Sequence, residues 1–302
     1  MRIVFLGTPK FAATVLEALV KKYEVAAAVC QPDREKDRKG RLIPCAVKEL
    51  AESLGIPVFQ FEKIRRDGVG TLREIAPDLM ITAAYGQILS QEILDIPRFG
   101  TLNVHGSLLP KYRGSAPIQR AIADGLTETG VTIMRTDAGM DTGDILSEIR
   151  VKIDDNDYVD DVYEKLAAAG SELLLGTIDG YVGGTIKPVP QNGELATNAP
   201  PIKKEEYFID FSRPACEVRN RIRGFGYGVC TLGENPLKVY RLDLAEGKGG
   251  IGEVIKADKN GITVACGEGA VSFTEVQASG KKRMKTADFL NGVKVPVGTV
   301  LR

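Results

Sequence analysis

The chain has no tryptophan and a single histidine, His105, among its 302 residues. One imidazole cannot build a multi-histidine metal centre, and any histidine chemistry falls on one position. Cysteine is sparse and odd in number: Cys30, Cys45, Cys216, Cys230 and Cys266. None stands in a C-x-x-C pair, which argues against a zinc site and against a disulfide framework. Reduced thiols in a cytosolic protein are the simplest reading. No apolar run approaches the ~20 residues of a membrane span. The opening MRIVFLG has too short an apolar run for a signal peptide, and Pro9 and Lys10 follow it. Net charge is missing as well, since 40 Lys and Arg balance 40 Asp and Glu. That balance hides an asymmetry: residues 201–302 carry 17 Lys and Arg against 12 acids, leaving the first 200 residues acidic. A mildly basic second half is compatible with nucleic acid, although an excess of this size is often only a solvated surface.

A nucleotide fingerprint is absent too. Ile3–Leu6 reads as a strand, and Thr8 as the cap of a helix with Pro9 in its first turn. Phe11, Val15, Leu16 and Leu19 recur at helical spacing, and Val25–Val29 reads as a second strand. This β–α–β opening predicts a Rossmann-like parallel sheet with right-handed crossovers. Yet the turn Gly7-Thr8-Pro9-Lys10-Phe11-Ala12 lacks the second and third glycines of G-x-G-x-x-G, which disfavours a dinucleotide oxidoreductase.

What is present centres on GTLNVHGSLLP, Gly100–Pro110. TLNVH alternates as a strand does, so Asn103 and His105 project from one face, with Leu102 and Val104 on the other. Gly106 then frees the backbone to leave the sheet. An amide and an imidazole at the carboxyl end of a buried strand sit where open α/β sheets place ligands. A buried, satisfied histidine is the bland alternative. Downstream, Asp137–Asp144 (DAGMDTGD) packs three acids and two glycines into eight residues, as an acidic surface turn or a group that orients a base. The loop 31–43 is dense in charge of both signs, with Arg34, Lys36, Arg38, Lys39 and Arg41 among its cations. It reads as a solvated loop or as a phosphate-contacting flap.

Lys187–Lys204, rich in Pro, Gly and Asn, is the natural linker. Beyond it, five brief β runs follow a short helix near Arg213–Ile222, and Asp258-Lys259-Asn260-Gly261 makes a hairpin turn. Short strands of this kind suggest a small OB-like β-barrel, a common oligonucleotide platform. Its densest basic cluster is Lys281-Lys282-Arg283. The division expected is a catalytic domain over 1–187, a linker over 188–206 and a C-terminal OB-like domain over 207–302.

NVHGSLLPKYRGSAPIQRAI followed by ETGVTIMRTDAGMDTGDIL closely resembles the methionyl-tRNA formyltransferases, within the wider group that uses 10-formyltetrahydrofolate. MRIVFLGTPKFA, QPDR, AAYGQIL and KKEEYFIDFS extend the resemblance over essentially the whole chain, in order. It implies transfer of the formyl group of 10-formyltetrahydrofolate to the amino group of methionyl initiator tRNA. The family's catalytic residues fall on Asn103, His105 and Asp141. The folate falls on Gly86, Gln87, Ile88 and Leu89 and on Ser107, Leu108, Leu109 and Pro110. The loop carrying Arg38 would lie near the acceptor end of the tRNA, and the barrel, with Lys281, Lys282 and Arg283, would hold tRNA phosphates. No metal is implied, and a cytoplasmic monomer without membrane contact is expected. His105 as base and His105 as oxyanion stabiliser both stay open. Two departures concern tRNA contact and domain packing. GFGYGVC, with Phe225 and Tyr227, stands where the family often has Pro-Trp, and Glu35-Lys36-Asp37 replaces its Pro-Ala-Gly turn. The alternatives are a formyl acceptor that is an amino-sugar nucleotide or a purine precursor, and a non-catalytic RNA-binding protein on an inherited fold.

Overall fold

Buried apolar runs near the start of the chain pair into a seven-stranded sheet. The computed structural model describes residues 1–34 and 39–302. The strands are β1 (Ile3–Gly7), β2 (Val25–Cys30), β3 (Val58–Gln60), β4 (Leu79–Ala83), β5 (Thr101–His105), β6 (Glu128–Arg135) and β7 (Ile145–Lys152). Their order is β3-β2-β1-β4-β5-β6-β7. The first five run parallel, as the opening predicts. β1 and β4 are buried at every position, the signature of strands covered on both faces. The sheet is nevertheless mixed, because β6 runs antiparallel to both of its neighbours, β5 and β7. Beyond its first two residues β7 alternates half-buried and exposed positions. A strand with one face to water suits antiparallel pairing, which tolerates it, and not a parallel interior.

The helix Lys10–Val20 buries Phe11, Ala12, Val15, Leu16 and Leu19, the face its spacing predicts. Full burial of each leucine contributes about 1.5–3 kcal/mol. Thr8 does not cap this helix: Pro9 holds the cap position without a side-chain bond. The Thr8 hydroxyl instead donates to Tyr85 O and accepts from Gln31 N, both at 3.3 Å. It thereby ties together the loops that follow β1, β2 and β4.

Contact density separates the chain into two units. One comprises Met1–Pro117, Glu128–Lys152 and Tyr163–Pro200, the other Ile118–Thr127, Ile153–Val162 and Pro201–Arg302. The second unit holds an antiparallel sheet built from β8 (Gly228–Leu232), β9 (Asn235–Ala245), β10 (Val254–Asp258), β11 (Gly261–Ala265), β12 (Ala270–Ala278) and β13 (Met284–Lys285). Its path is β10-β11-β12-β9-β8, with β13 on β12. Asp258 pairs with Gly261 across the expected hairpin turn, and Asp258 Oδ1 accepts the Asn260 N–H at 2.8 Å. Phe273, Val239 and Val264 are fully buried in its core, against which Val218 and Ile222 of the helix Ala215–Phe225 pack.

Candidate active site

Asn103 and His105 project from one face of β5, as the alternation predicts, with Leu102 and Val104 buried on the other. Register fixes their neighbours: Asn103 lies opposite Thr82 of β4, and His105 opposite Thr132 of β6. Asn103 is half-buried. Thr82 Oγ1 donates to Asn103 Oδ1 at 3.0 Å, which occupies the oxygen end of the amide and leaves Nδ2 as the end that can donate elsewhere.

The imidazole of His105 is 6% exposed. Its Nε2 lies 3.1 Å from Tyr112 O, and its Nδ1 lies 3.7 Å from Asp141 Oδ2. Tyr112 has φ 59° and Asp141 φ 53°, so both residues flanking the ring adopt the left-handed conformation. For a residue with a Cβ that costs about 1–2 kcal/mol. Such strain persists only where the surroundings over-determine it, and it clusters at functional sites. Asp141 Oδ2 also accepts the Gly114 N–H at 2.7 Å. Of the other acids in this loop, Asp137 is spent internally, accepting from Thr142 Oγ1 at 2.8 Å and from the Gly139 N–H. The acidic turn is thus divided: Asp137 shapes it and Asp141 faces the histidine. No group of three or more His, Cys, Asp or Glu among the described residues is arranged to hold a metal ion.

The turn after β5 is set by one buried hydroxyl. Thr132 Oγ1 donates to Ser107 O at 2.7 Å and accepts the Leu109 N–H at 3.1 Å. Ser107 is fully buried and gives its own hydroxyl to Lys111 O at 2.7 Å, and Leu109 is buried too. Leu108 lies over Gly130, where a Cβ would stand 2.4 Å from its Cδ2, so only glycine lets the turn settle onto β6. The Leu109–Pro110 bond is cis. In the segment after β4, the Gln87 side chain is occupied: Oε1 accepts the Ile64 N–H and Nε2 donates to Phe61 O, both at 2.8 Å. Gly86 is exposed, Leu89 is buried, and Ile88 presents an apolar side chain that is 70% exposed.

The basic residues fall elsewhere. Lys281 and Lys282 are exposed on the turn between β12 and β13. Arg283 is engaged, with its guanidinium on Glu275 at 2.7 and 2.6 Å and 4.4 Å from the centre of the Tyr240 ring. Arg38 lies outside the described residues, as do Glu35, Lys36 and Asp37.

Three side chains of this site escape a reading by motif: Thr82, Thr132 and Gln191. The threonines are the cross-strand partners of Asn103 and His105, a relation that only the sheet register supplies. Gln191 Nε2 donates to Asp141 O at 2.9 Å and to Gly143 O at 2.7 Å from within the expected linker, where nothing periodic marks it.

Comparison with known proteins places the chain in a family. The family described as formyl transferase matches residues 1–178, and its C-terminal domain matches residues 201–294. A methionyl-tRNA formyltransferase of Macrococcus caseolyticus is 43% identical over 97% of this chain and 96% of its own length. One from Pelobacter propionicus is 44% identical over 99% and 95%. Among solved structures, an N-formyltransferase from Helicobacter canadensis in complex with folinic acid and dTDP-3-aminofucose aligns with a TM-score of 0.66. It is 20% identical and covers 90% of this chain and 98% of its own, a likeness of fold. The side chains gathered at the end of β5 therefore stand in a chain that belongs to the formyl transferase family, with the methionyl-tRNA formyltransferases among its relatives.

Proposed function

We propose that this protein transfers the formyl group of 10-formyltetrahydrofolate to the amino group of methionyl initiator tRNA. Relatives of that name at 43–44% identity over nearly the full length support the acceptor. The clamped histidine carries the chemical reading. A carbonyl oxygen only accepts, so the bond to Tyr112 O places the proton on His105 Nε2. A neutral ring then carries its lone pair on Nδ1, beside Asp141. This favours His105 as the base that takes a proton from the attacking amine, with the carboxylate 3.7 Å away to stabilise the imidazolium that results. Asn103 Nδ2, oriented by Thr82, donates to the oxygen on which negative charge develops.

The donor set fits a reduced folate. An exposed apolar side chain at Ile88 and a tightly turned backbone at Ser107–Pro110 suit a flat ring that needs apolar faces and a few fixed polar partners. When bound, that cosubstrate supplies an electrophilic formyl carbon. The residues proposed to hold it are Gly86–Leu89 and Ser107–Pro110, with Gln87 acting through its backbone because its side chain is occupied.

An assay with charged initiator and elongator tRNAs, with and without 10-formyltetrahydrofolate, tests the reading. Methionyl initiator tRNA becomes formylated only when the folate is present, and His105→Ala slows the reaction by about 10²-fold or more without loss of fold. A folded protein that leaves charged initiator tRNA untouched and formylates an amino-sugar nucleotide or a purine precursor instead would overturn the acceptor.

A further inference from the structure

We propose that Gln191 is the positioning residue that holds Asp141 against His105, and that residues 189–199 act as a strap carrying it. Its effect on rate rests on the formyl-transfer reading, whereas its effect on the histidine does not.

Asp141 stands at φ 53°, a conformation that costs a residue with a Cβ, so contacts on its flanking backbone help to keep it there. Gln191 spans the loop on both sides of the strained residue, giving its two amide hydrogens to Asp141 O at 2.9 Å and Gly143 O at 2.7 Å. The direction of the amide is itself fixed. Arg113 Nε and Nη2 both donate to Gln191 Oε1, at 3.1 and 2.7 Å, so the NH2 end must face the loop. Arg113 sits between the two residues that touch the catalytic pair: Tyr112 O accepts from His105, and the Gly114 N–H reaches Asp141 Oδ2. The contacts therefore close a ring from His105 through Tyr112, Arg113 and Gln191 to Asp141 and back to His105.

The strap is anchored at both ends. Val189 exchanges two backbone bonds with Ile145, each at 2.8 Å. Thr197 O accepts the Arg113 N–H at 2.8 Å, Thr197 Oγ1 accepts the Tyr112 N–H at 2.9 Å, and the Ala199 N–H donates to Arg113 O at 2.6 Å. A stretch whose composition marks it as a linker is thus stitched to the same turn that clamps the histidine.

Glutamate has the shape of glutamine and keeps an acceptor for Arg113, but it has no hydrogens to give the two carbonyls. The full-length variants Gln191→Glu and Gln191→Met are compared with Asp141→Asn and with the double variant Gln191→Glu/Asp141→Asn. Both single Gln191 variants are expected to lower kcat by about 10- to 100-fold, the scale of a misplaced reacting group, with the KM for folate unchanged. The double variant is expected to be no slower than Asp141→Asn alone, because both changes act through one carboxylate. Nitrogen NMR of the single imidazole gives a readout independent of activity: each Gln191 variant moves the ring signals in the direction of Asp141→Asn. Unchanged ring signals in a folded Gln191→Glu or Gln191→Met protein, or a rate loss that adds in full to that of Asp141→Asn, would overturn the proposal. If the unmodified protein formylates nothing, the functional reading falls and the ring spectra alone decide this one.

Discussion

The hydroxyl of Thr82 orients Asn103 through its carbonyl oxygen at 3.0 Å. Two substitutions separate the donor from the group that aims it. Asn103→Asp keeps the shape and replaces the donor with an acceptor, so the formyl-transfer rate should fall by about 10²–10³-fold. Thr82→Val leaves the donor in place but unaimed, and a smaller loss at unchanged folate affinity is expected. A Thr82→Val loss as large as that of Asn103→Asp would show that Thr82 does more than orient the amide. A second residue-scale expectation concerns Cys45, whose thiol is lowered by the neighbouring Cys30 thiol, itself pushed upward. Burial pushes Cys230 the other way, to about 12. Alkylation of Cys45, followed by peptide mass spectrometry, should set in at lower pH than for an ordinary thiol of about 8.5. Cys230 should stay unlabelled in the folded protein. Cys30→Ala should move the Cys45 midpoint up toward the ordinary thiol value of about 8.5. A midpoint indifferent to Cys30 would refute the pairing. At this scale the sequence was legible where strand alternation sets which way a side chain projects, as at Asn103 and His105. Asp141 emerged only through resemblance. Gln191 had no legible mark, because what it does is donate to backbone carbonyls, and any loop residue with an amide looks the same beforehand.

The elements around the site depend on close approaches that side chains would block. Gly114 has φ 122°, and a Cβ there would stand 2.7 Å from Ala199 O. Gly114→Ala is both strained and obstructed, so a stability loss of about 1–3 kcal/mol is expected in thermal or denaturant unfolding. The same change pushes residues 197–199 from the turn, so activity should fall further than stability alone accounts for. In the second unit, Arg120 of the helix Pro117–Ala123 holds Glu206 through two bonds of 2.6 and 2.8 Å. The Arg120 guanidinium holds the Glu206 carboxyl down at about 2, below its ordinary value of 4.5. A carboxylate depressed in the folded state contributes stability that is fully present above its unfolded value and is lost as pH falls through the folded one. The contribution should fade between pH about 5 and 2 and amount to about 1 kcal/mol, since both side chains keep contact with water. Arg120→Ala should flatten the acid limb of the unfolding curve in that window, and an unchanged limb would contradict the assignment. Which elements were readable follows from their physics. Long periodic segments declared themselves, as in the helix Lys10–Val20. The turn of the sheet to antiparallel at β6 did not, because direction is set by the path of the connection and not by composition. Thr8 misled because a threonine before a proline-led helix has the composition of a cap, yet its hydroxyl found partners in neighbouring loops.

Charge is the property that belongs to the whole chain. Neutral overall, the protein concentrates its positive excess in residues 201–302, and its antiparallel sheet displays Lys281 and Lys282 on one turn. If tRNA phosphates are held there, each lysine that neutralises a phosphate releases condensed counterions, and affinity falls with salt in proportion to the number of such contacts. The double variant Lys281→Ala/Lys282→Ala should weaken tRNA binding at low salt and reduce the slope of log affinity against log salt by about one to two units. It should leave kcat at saturating tRNA and the affinity for folate unchanged, because neither lysine belongs to the unit that carries His105. Arg283→Ala should behave differently. Its guanidinium is neutralised by Glu275 and packed on Tyr240, so it offers little free charge to a phosphate. Its removal should cost stability of the β12–β13 hairpin more than it changes the salt slope. Binding measured by fluorescence anisotropy at several salt concentrations, alongside unfolding curves for both variants, separates the two cases. A salt slope that responds to Arg283 and ignores the two lysines would move the tRNA contact off Lys281 and Lys282 and onto the guanidinium stacked on Tyr240.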